Sequence, residues 1–229
     1  MKKYLKRIKL KHPDELSPSE RLHYVLTFLI RISLLLAFFA AAYTNNWLVV
    51  FVIISTLFLT FVPSLFERFY KINLPVEFEM VAVIFVYATL FLGEVHGYYV
   101  KYWWWDIILH AGAALAMGLL GFTILFVLYK GKKINASPRI VAIFSFCFAL
   151  AIGALWEIIE FFMDITFELN MQKSGLMDTM GDIIVDAVAA LVASVAGYFY
   201  IKRGELFILG GIMRRFRKAN PWLFKRTIK

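Results

Sequence analysis

The sequence is short of charge, nearly devoid of cysteine and without a recognisable soluble-enzyme motif, and each shortage excludes something. Of 229 residues only 18% are Asp, Glu, Lys or Arg, whereas 61% are apolar. Soluble domains run at about 25% charged and about 45–50% apolar. A soluble core cannot absorb that surplus, and a mean hydropathy of +0.72 makes lipid the solvent for much of the surface. Disorder and an ordinary cytosolic enzyme are excluded by the same figures. The single cysteine, Cys147, excludes an intrachain disulfide and a cysteine-based metal cluster; within its apolar run it reads as a small core residue. No Ser-His-Asp array with an elbow, no P-loop and no H-E-x-x-H stretch is present, and there is no internal repeat.

What the chain does have is six apolar runs, near 22–43, 47–66, 75–93, 105–129, 139–163 and 181–201. Each reaches the ~20 residues that a helix needs to cross a ~30 Å hydrocarbon layer. They lack the alternation of membrane-barrel strands. The connections carry the breakers, among them Thr44-Asn45-Asn46, Asn73-Leu74-Pro75, Lys130-Gly131-Lys132, Ser137-Pro138 and Ser174-Gly175. The expected architecture is all-α: a polytopic membrane protein with six transmembrane helices in one bundle over 22–201. A basic amino-terminal segment, 1–21, precedes it and a basic tail, 202–229, follows. The first run is too long and starts too late for a cleaved signal peptide, so it is expected to stay as a helix.

The formal charge of +9 does not point to nucleic acid, because the cations are placed by topology. In a six-span arrangement 22 of the 25 Lys and Arg residues fall on one side, in 1–21, 67–74, 130–139 and the tail. Only Lys101 and Lys173 fall on the other, and Arg31 lies within the first run, where Glu77 or Glu79 is its expected structural partner. The positive-inside rule then puts both termini in the cytoplasm of a multi-pass cell-membrane protein. The tail interleaves Leu206, Phe207, Ile208, Phe216, Trp222 and Phe224 with Arg214, Arg215, Arg217, Lys218, Lys225 and Arg226. That mixture suits an interfacial segment against an anionic inner leaflet.

The acidic residues gather on the opposite side. Asp106 and His110 are at i, i+4 in the fourth run, and Glu157, Glu160 and Asp164 are at i, i+3, i+7 in the fifth. Asp178, Asp182 and Asp186 follow at i, i+4, i+8 at the entrance to the sixth. Each set shares one helix face. A carboxylate at mid-bilayer costs at least ~2.5–3.5 kcal/mol, so such stripes are tolerable when they face one another and are compensated. A divalent metal ion held by His110, Glu157, Glu160, Asp182 and Asp186, with Asp106 and Asp178 beside them, is the economical remedy. Oxygen-rich ligation suits Mg, Mn or Ca, while the imidazole admits Zn or Fe. Shared protons are the competing remedy. Asp164, Glu168, Glu94 and His96 read more simply as loop or solvated groups, a reading that Asp178 also admits. Gly112, Ala114, Gly118 and Gly121 in the fourth run and Ala187, Ala190 and Ala193 in the sixth predict close helix contact.

These residues also carry a resemblance. Trp105-Asp106-Ile107-Ile108-Leu109-His110 resembles the D-x-x-x-H element of the YjdF type of small bacterial and archaeal membrane proteins. Ala154-Leu155-Trp156-Glu157-Ile158-Ile159-Glu160 is similar to that family's aromatic-E-x-x-E helix. Asp178-Thr179-Met180-Gly181-Asp182 is similar to its D-x-x-x-D element, with Gly181 where an aromatic residue is common. The order of motifs is more distantly similar to VanZ-like proteins, linked to envelope and glycopeptide phenotypes. The likeness spans roughly 75–200 and implies a site on these residues rather than a named reaction.

Three functions fit. The first is an enzyme or binding protein acting on a lipid or lipid-linked head group at the outer leaflet, with Glu157 or Glu160 as general base. The aromatic stretch Tyr98 to Trp105 would lie at that interface, as a belt anchor or a cradle. The second is a proton or divalent-cation transporter, which the apolar inner halves of the last three runs disfavour. The third is a structural or partner-binding protein whose acids lock the bundle.

Overall fold

A computed structural model of the protein describes residues 17–204 and 207–224, and the side chains of all of these except Phe207 and Ile208. Six helices are long and apolar enough to cross a membrane: Pro18–Tyr43, Trp47–Tyr70, Val76–Val95, Trp105–Lys130, Pro138–Phe167 and Leu176–Arg203. No strand occurs among the described residues. The chain divides into two compact units, one up to His96 and one from Gly97.

In the first unit α1 (Pro18–Tyr43) starts at a capping box. Ser17 Oγ accepts from the Glu20 amide, and the Glu20 carboxylate in turn accepts from the Ser17 amide. The second apolar run is not one continuous helix: α2 (Trp47–Leu59) and α3 (Val62–Tyr70) meet at Thr60-Phe61. Pro63 causes the break, since it has no amide hydrogen and its ring crowds the carbonyl four residues back. The third run is α4 (Val76–Val86), continued by a π-helical segment, Tyr87–Val95. Leu34, Ala41, Val50, Ile53 and Phe91 form the core of this unit. Arg31 donates to the Thr60 hydroxyl at 3.2 Å and the Thr60 carbonyl at 3.1 Å, and its guanidinium lies 3.8 Å from the centre of the Phe61 ring. Glu79, one of the two carboxylates expected beside Arg31, lies 3.4 Å from His23 Nε2.

In the second unit a short α5 (Tyr98–Lys101) leads into α6 (Trp105–Lys130), α7 (Pro138–Phe167) and α8 (Leu176–Arg203). These three long helices pack each against the other two. The close contact expected of the small residues is present. A Cβ on Gly118 would sit 2.6 Å from that of Ala193, and one on Gly197 would sit 2.5 Å from the Phe122 ring. Ser145 adds a buried hydrogen bond to the Gly118 carbonyl at 2.6 Å. Gly112, by contrast, faces open space. Cys147 is exposed, which corrects its reading as a core residue; a thiol is apolar enough to face hydrocarbon.

Gly204, at φ +80°, ends α8 in a left-handed turn that few other residues tolerate. The chain then forms α9 (Phe207–Ala219) and a 3-10 turn, Pro221–Phe224. Part of the tail's apolar face is covered by protein. Leu209, Met213 and Phe216 are buried in the protein, with Leu209 and Met213 in the same core as Phe122, Phe126, Ala136 and Val141. Phe224 packs on both Phe126 and Phe216, with ring centres 6.2 Å apart in each case. Leu206, Lys225, Arg226 and residues 1–16 lie outside the described residues.

Candidate metal centre

The three acidic stripes meet at one end of the second unit. Their depth follows from the helix faces: α6 places His110 one turn below Asp106, and α7 buries Glu157 and Glu160. The inner face of α8 continues from Asp182 and Asp186 into Ala189, Ala190, Ala193 and Gly197. His110 is the hub. Its Nε2 lies 3.8 Å from Glu157 Oε1, 3.9 Å from Asp106 Oδ1 and 4.0 Å from Asp182 Oδ2. Its Nδ1 lies 3.4 Å from Asp186 Oδ1. The imidazole is therefore gripped on one nitrogen and faces three carboxylates with the other.

Burial separates a floor from a mouth. His110, Glu157, Glu160, Asp182 and Asp186 are all buried, while Asp106 and Asp178 are half-exposed. Ligand atoms of His110, Glu157 and Asp182 lie within 4.8 Å of one another, and so do those of Asp106, Asp178 and Asp182. Asp182 belongs to both groups. Neither oxygen of Glu157 accepts a hydrogen bond of ordinary geometry among the described residues, although only 4% of the residue is exposed, and the Thr179 hydroxyl, which accepts from Gln172, is the donor that faces it. Asp186 Oδ2 is likewise buried and unbonded. Buried polar atoms are ordinarily satisfied, at a cost of about 1–3 kcal/mol when they are not. Glu160 is different, because Trp156 Nε1 donates to it at 2.9 Å.

The acidic stripe of α7 is not uniform. Asp164 turns away from the cluster to accept from the Met171 and Gln172 amides at 2.7 and 2.9 Å, closing the loop into α8. Two contributors escaped the sequence reading. Lys173 reaches over the mouth, its Nζ 2.8 Å from Asp106 Oδ2 and 5.0 Å from the centre of the Tyr99 ring. It was counted only as a stray cation on the acidic side. Gly153, one turn before Glu157, leaves room for the Asp186 carboxylate, whose Cγ would lie 2.9 Å from a Cβ there. The G-x-x-x-E spacing on the acidic face of α7 was the available signal.

The family model described as Predicted membrane protein (DUF2238) matches residues 22–203, a stretch that holds the whole cluster and all six spans but for the first four residues of the first. The chain belongs to this family. The DUF2238 match stands where the resemblance to small polytopic membrane proteins pointed. A protein of Thermotoga maritima, described as an uncharacterized protein, is 31% identical over 127 residues, which is 55% of this chain and 64% of that relative. The chain thus spans under two thirds of that relative's length. No solved structure matches.

Proposed function

We propose that the acidic end of the second unit holds a divalent cation and uses it to bind, and act on, a phosphate-bearing head group of a lipid or lipid-linked molecule. The observation that carries this is the Glu157 carboxylate, buried without a hydrogen bond of ordinary geometry and facing His110 Nε2 and Asp182. Metal–donor bonds of about 2.0–2.4 Å set neighbouring donors roughly 3–4.5 Å apart. The present separations of 3.8 and 4.0 Å leave space for such an ion with little movement. His110, Glu157 and Asp182 would be its ligands. Asp186 would fix the imidazole from Nδ1, as carboxylates behind metal-bound histidines do. Asp106 and Asp178 would complete the mouth. One nitrogen among carboxylates favours Mg, Mn or Ca and admits Zn.

Such an ion would polarise a phosphate oxygen and lower the pKa of bound water. Glu160, held by Trp156 beside Glu157, would take a proton from water as its oxygen bonds to phosphorus and return it to the alkoxide oxygen as the P–O bond breaks, so that the group leaves as an alcohol. In this reading both termini are cytoplasmic, the cluster faces the outer leaflet, and the basic tail meets an anionic inner leaflet. Transport is disfavoured, since below the cluster α6 and α8 are closed by Gly118 against Ala193 and Phe122 against Gly197.

Metal analysis of the purified full chain should find a stoichiometric divalent ion. A chelator should remove it and lower the melting temperature, and His110→Ala or Glu157→Gln should abolish both effects. No ion at neutral pH and a melting temperature indifferent to chelator would overturn the proposal. The carboxylates would then share protons, and the cluster would be a structural lock between α6, α7 and α8.

A further inference from the structure

The opposite end of the same unit carries a second constellation, of the other sign. Lys130, at the end of α6, lies 24 residues beyond Asp106, or about 36 Å along the helix at ~1.5 Å per residue. A cavity of about 250 Å³ opens there, with Phe126 and Tyr200 as apolar lining and Lys130, Arg214 and Arg217 as its charged groups. A second cavity, of about 520 Å³, begins at the same Lys130 and adds Lys132, Lys133 and Asn135. No acidic residue is among the described residues lining either one.

The fold builds this arrangement. The left-handed turn at Gly204 sends α9 back across the end of the helices, and Leu209, Met213, Phe216 and Asn220 anchor its inner face. Asn220 is fully buried and donates to the Phe216 carbonyl at 3.0 Å. Arg214 and Arg217, three residues apart, then share a neighbouring face and line the same cavity as Lys130, which belongs to a different helix. Anchoring α9 by its apolar face fixes the backbone that carries both arginines, while the side chains of Arg214, Arg217 and Lys130 stay exposed to a ligand. Guanidinium pairs fit phosphate oxygens in bidentate fashion. Basic pockets between membrane helices, at head-group depth, suit phospholipid head groups.

We propose that the pocket between Lys130, Arg214 and Arg217 binds the phosphate group of an anionic phospholipid as a discrete site. This rests on the tail meeting an anionic leaflet and narrows that contact from diffuse adsorption to three named cations. It is independent of the metal centre.

The test uses the full chain, delipidated in neutral detergent and titrated with short-chain phosphatidylglycerol or phosphatidylcholine, with binding read by native mass spectrometry. Phosphatidylglycerol should bind at least tenfold more tightly. Arg214→Gln with Arg217→Gln should weaken it tenfold or more, and Lys130→Gln, on another helix, should weaken it several-fold. Arg68→Gln with Lys71→Gln removes the same charge from the first unit and should change affinity by less than twofold. Unchanged melting temperatures keep the comparison free of misfolding. Equal losses in both double variants would overturn the pocket while leaving diffuse adsorption standing. No preference for phosphatidylglycerol would overturn both. Displacement of the lipid by millimolar inorganic phosphate would support the phosphate contact. Phosphate binding without lipid binding would overturn the lipid as its source.

Discussion

A glycine on a buried helix face matters by what fills the space its missing side chain leaves. At Gly153 that occupant is the carboxylate of Asp186, which in turn grips His110. A methyl group there must push Asp186 off its position, and overpacking of this kind costs about 1–3 kcal/mol. Gly153→Ala is therefore expected to lower the melting temperature and, on the proposed metal reading, to weaken cation binding tenfold or more. Gly112→Ala is the control. Nothing lies within 4 Å of a Cβ at Gly112, and replacing a mid-helix glycine by alanine gains about 0.5–1 kcal/mol. Thermal melts with and without added divalent ion check both. A neutral Gly153→Ala would show that Asp186 has another place to go. The spacing of His110, Glu157, Asp182 and Asp186 was legible in the sequence because helical periodicity alone puts each on its stripe. Gly153 and Lys173 were not, because a glycine's role depends on a neighbouring helix and a loop lysine's reach depends on where the loop folds.

At the scale of elements, the connection between α7 and α8 decides how the acidic stripes align. Glu168 ends α7 in a left-handed conformation at φ 55°. Asp164 then accepts two amides of the returning chain, and Gln172 donates to the Thr179 hydroxyl at 2.6 Å. Hydrogen bonds to a charged group contribute about 1.5–3 kcal/mol. Asp164→Ala should free the 168–175 segment, raising its rate of proteolysis several-fold in detergent, while Asp164→Asn should lie between. If cleavage were unchanged, the loop would be held by other contacts. Periodicity read Asp164 as part of the stripe with Glu157 and Glu160, and its geometry as a shared face was right; its partner is backbone that only the folded loop supplies. The break between α2 and α3 had its signal in Pro63. The tail is the reverse case: its amphipathic pattern was plain, but the same pattern fits lipid or protein as the covering surface. Phe122, Phe126 and Ala136 supply protein.

At the scale of the whole molecule, composition indicated a membrane protein, since 61% apolar content exceeds what a soluble core absorbs, and the six apolar runs indicated its multi-pass helices. Orientation rests on the placement of cations. The proposed arrangement sets 22 Lys and Arg residues against two, Lys101 and Lys173, and one of those two is bound to Asp106. A bias of this size in short loops is the strongest form of the topology rule. Among the 22 are Lys130 and Lys202 with Arg203, in the last turns of α6 and α8, where cations also favour the negative end of the helix dipole. A green fluorescent fusion at the carboxyl terminus should therefore be bright, and alkaline phosphatase inserted after Lys173 should be active. The reverse pattern would turn the molecule over. The metal centre would then face the cytoplasm, and its head-group substrate would have to come from the inner leaflet, while the basic pocket would lose the leaflet in which anionic head groups are concentrated. The two fusions thus test the shared premise of both sites, which no substitution within either site could do.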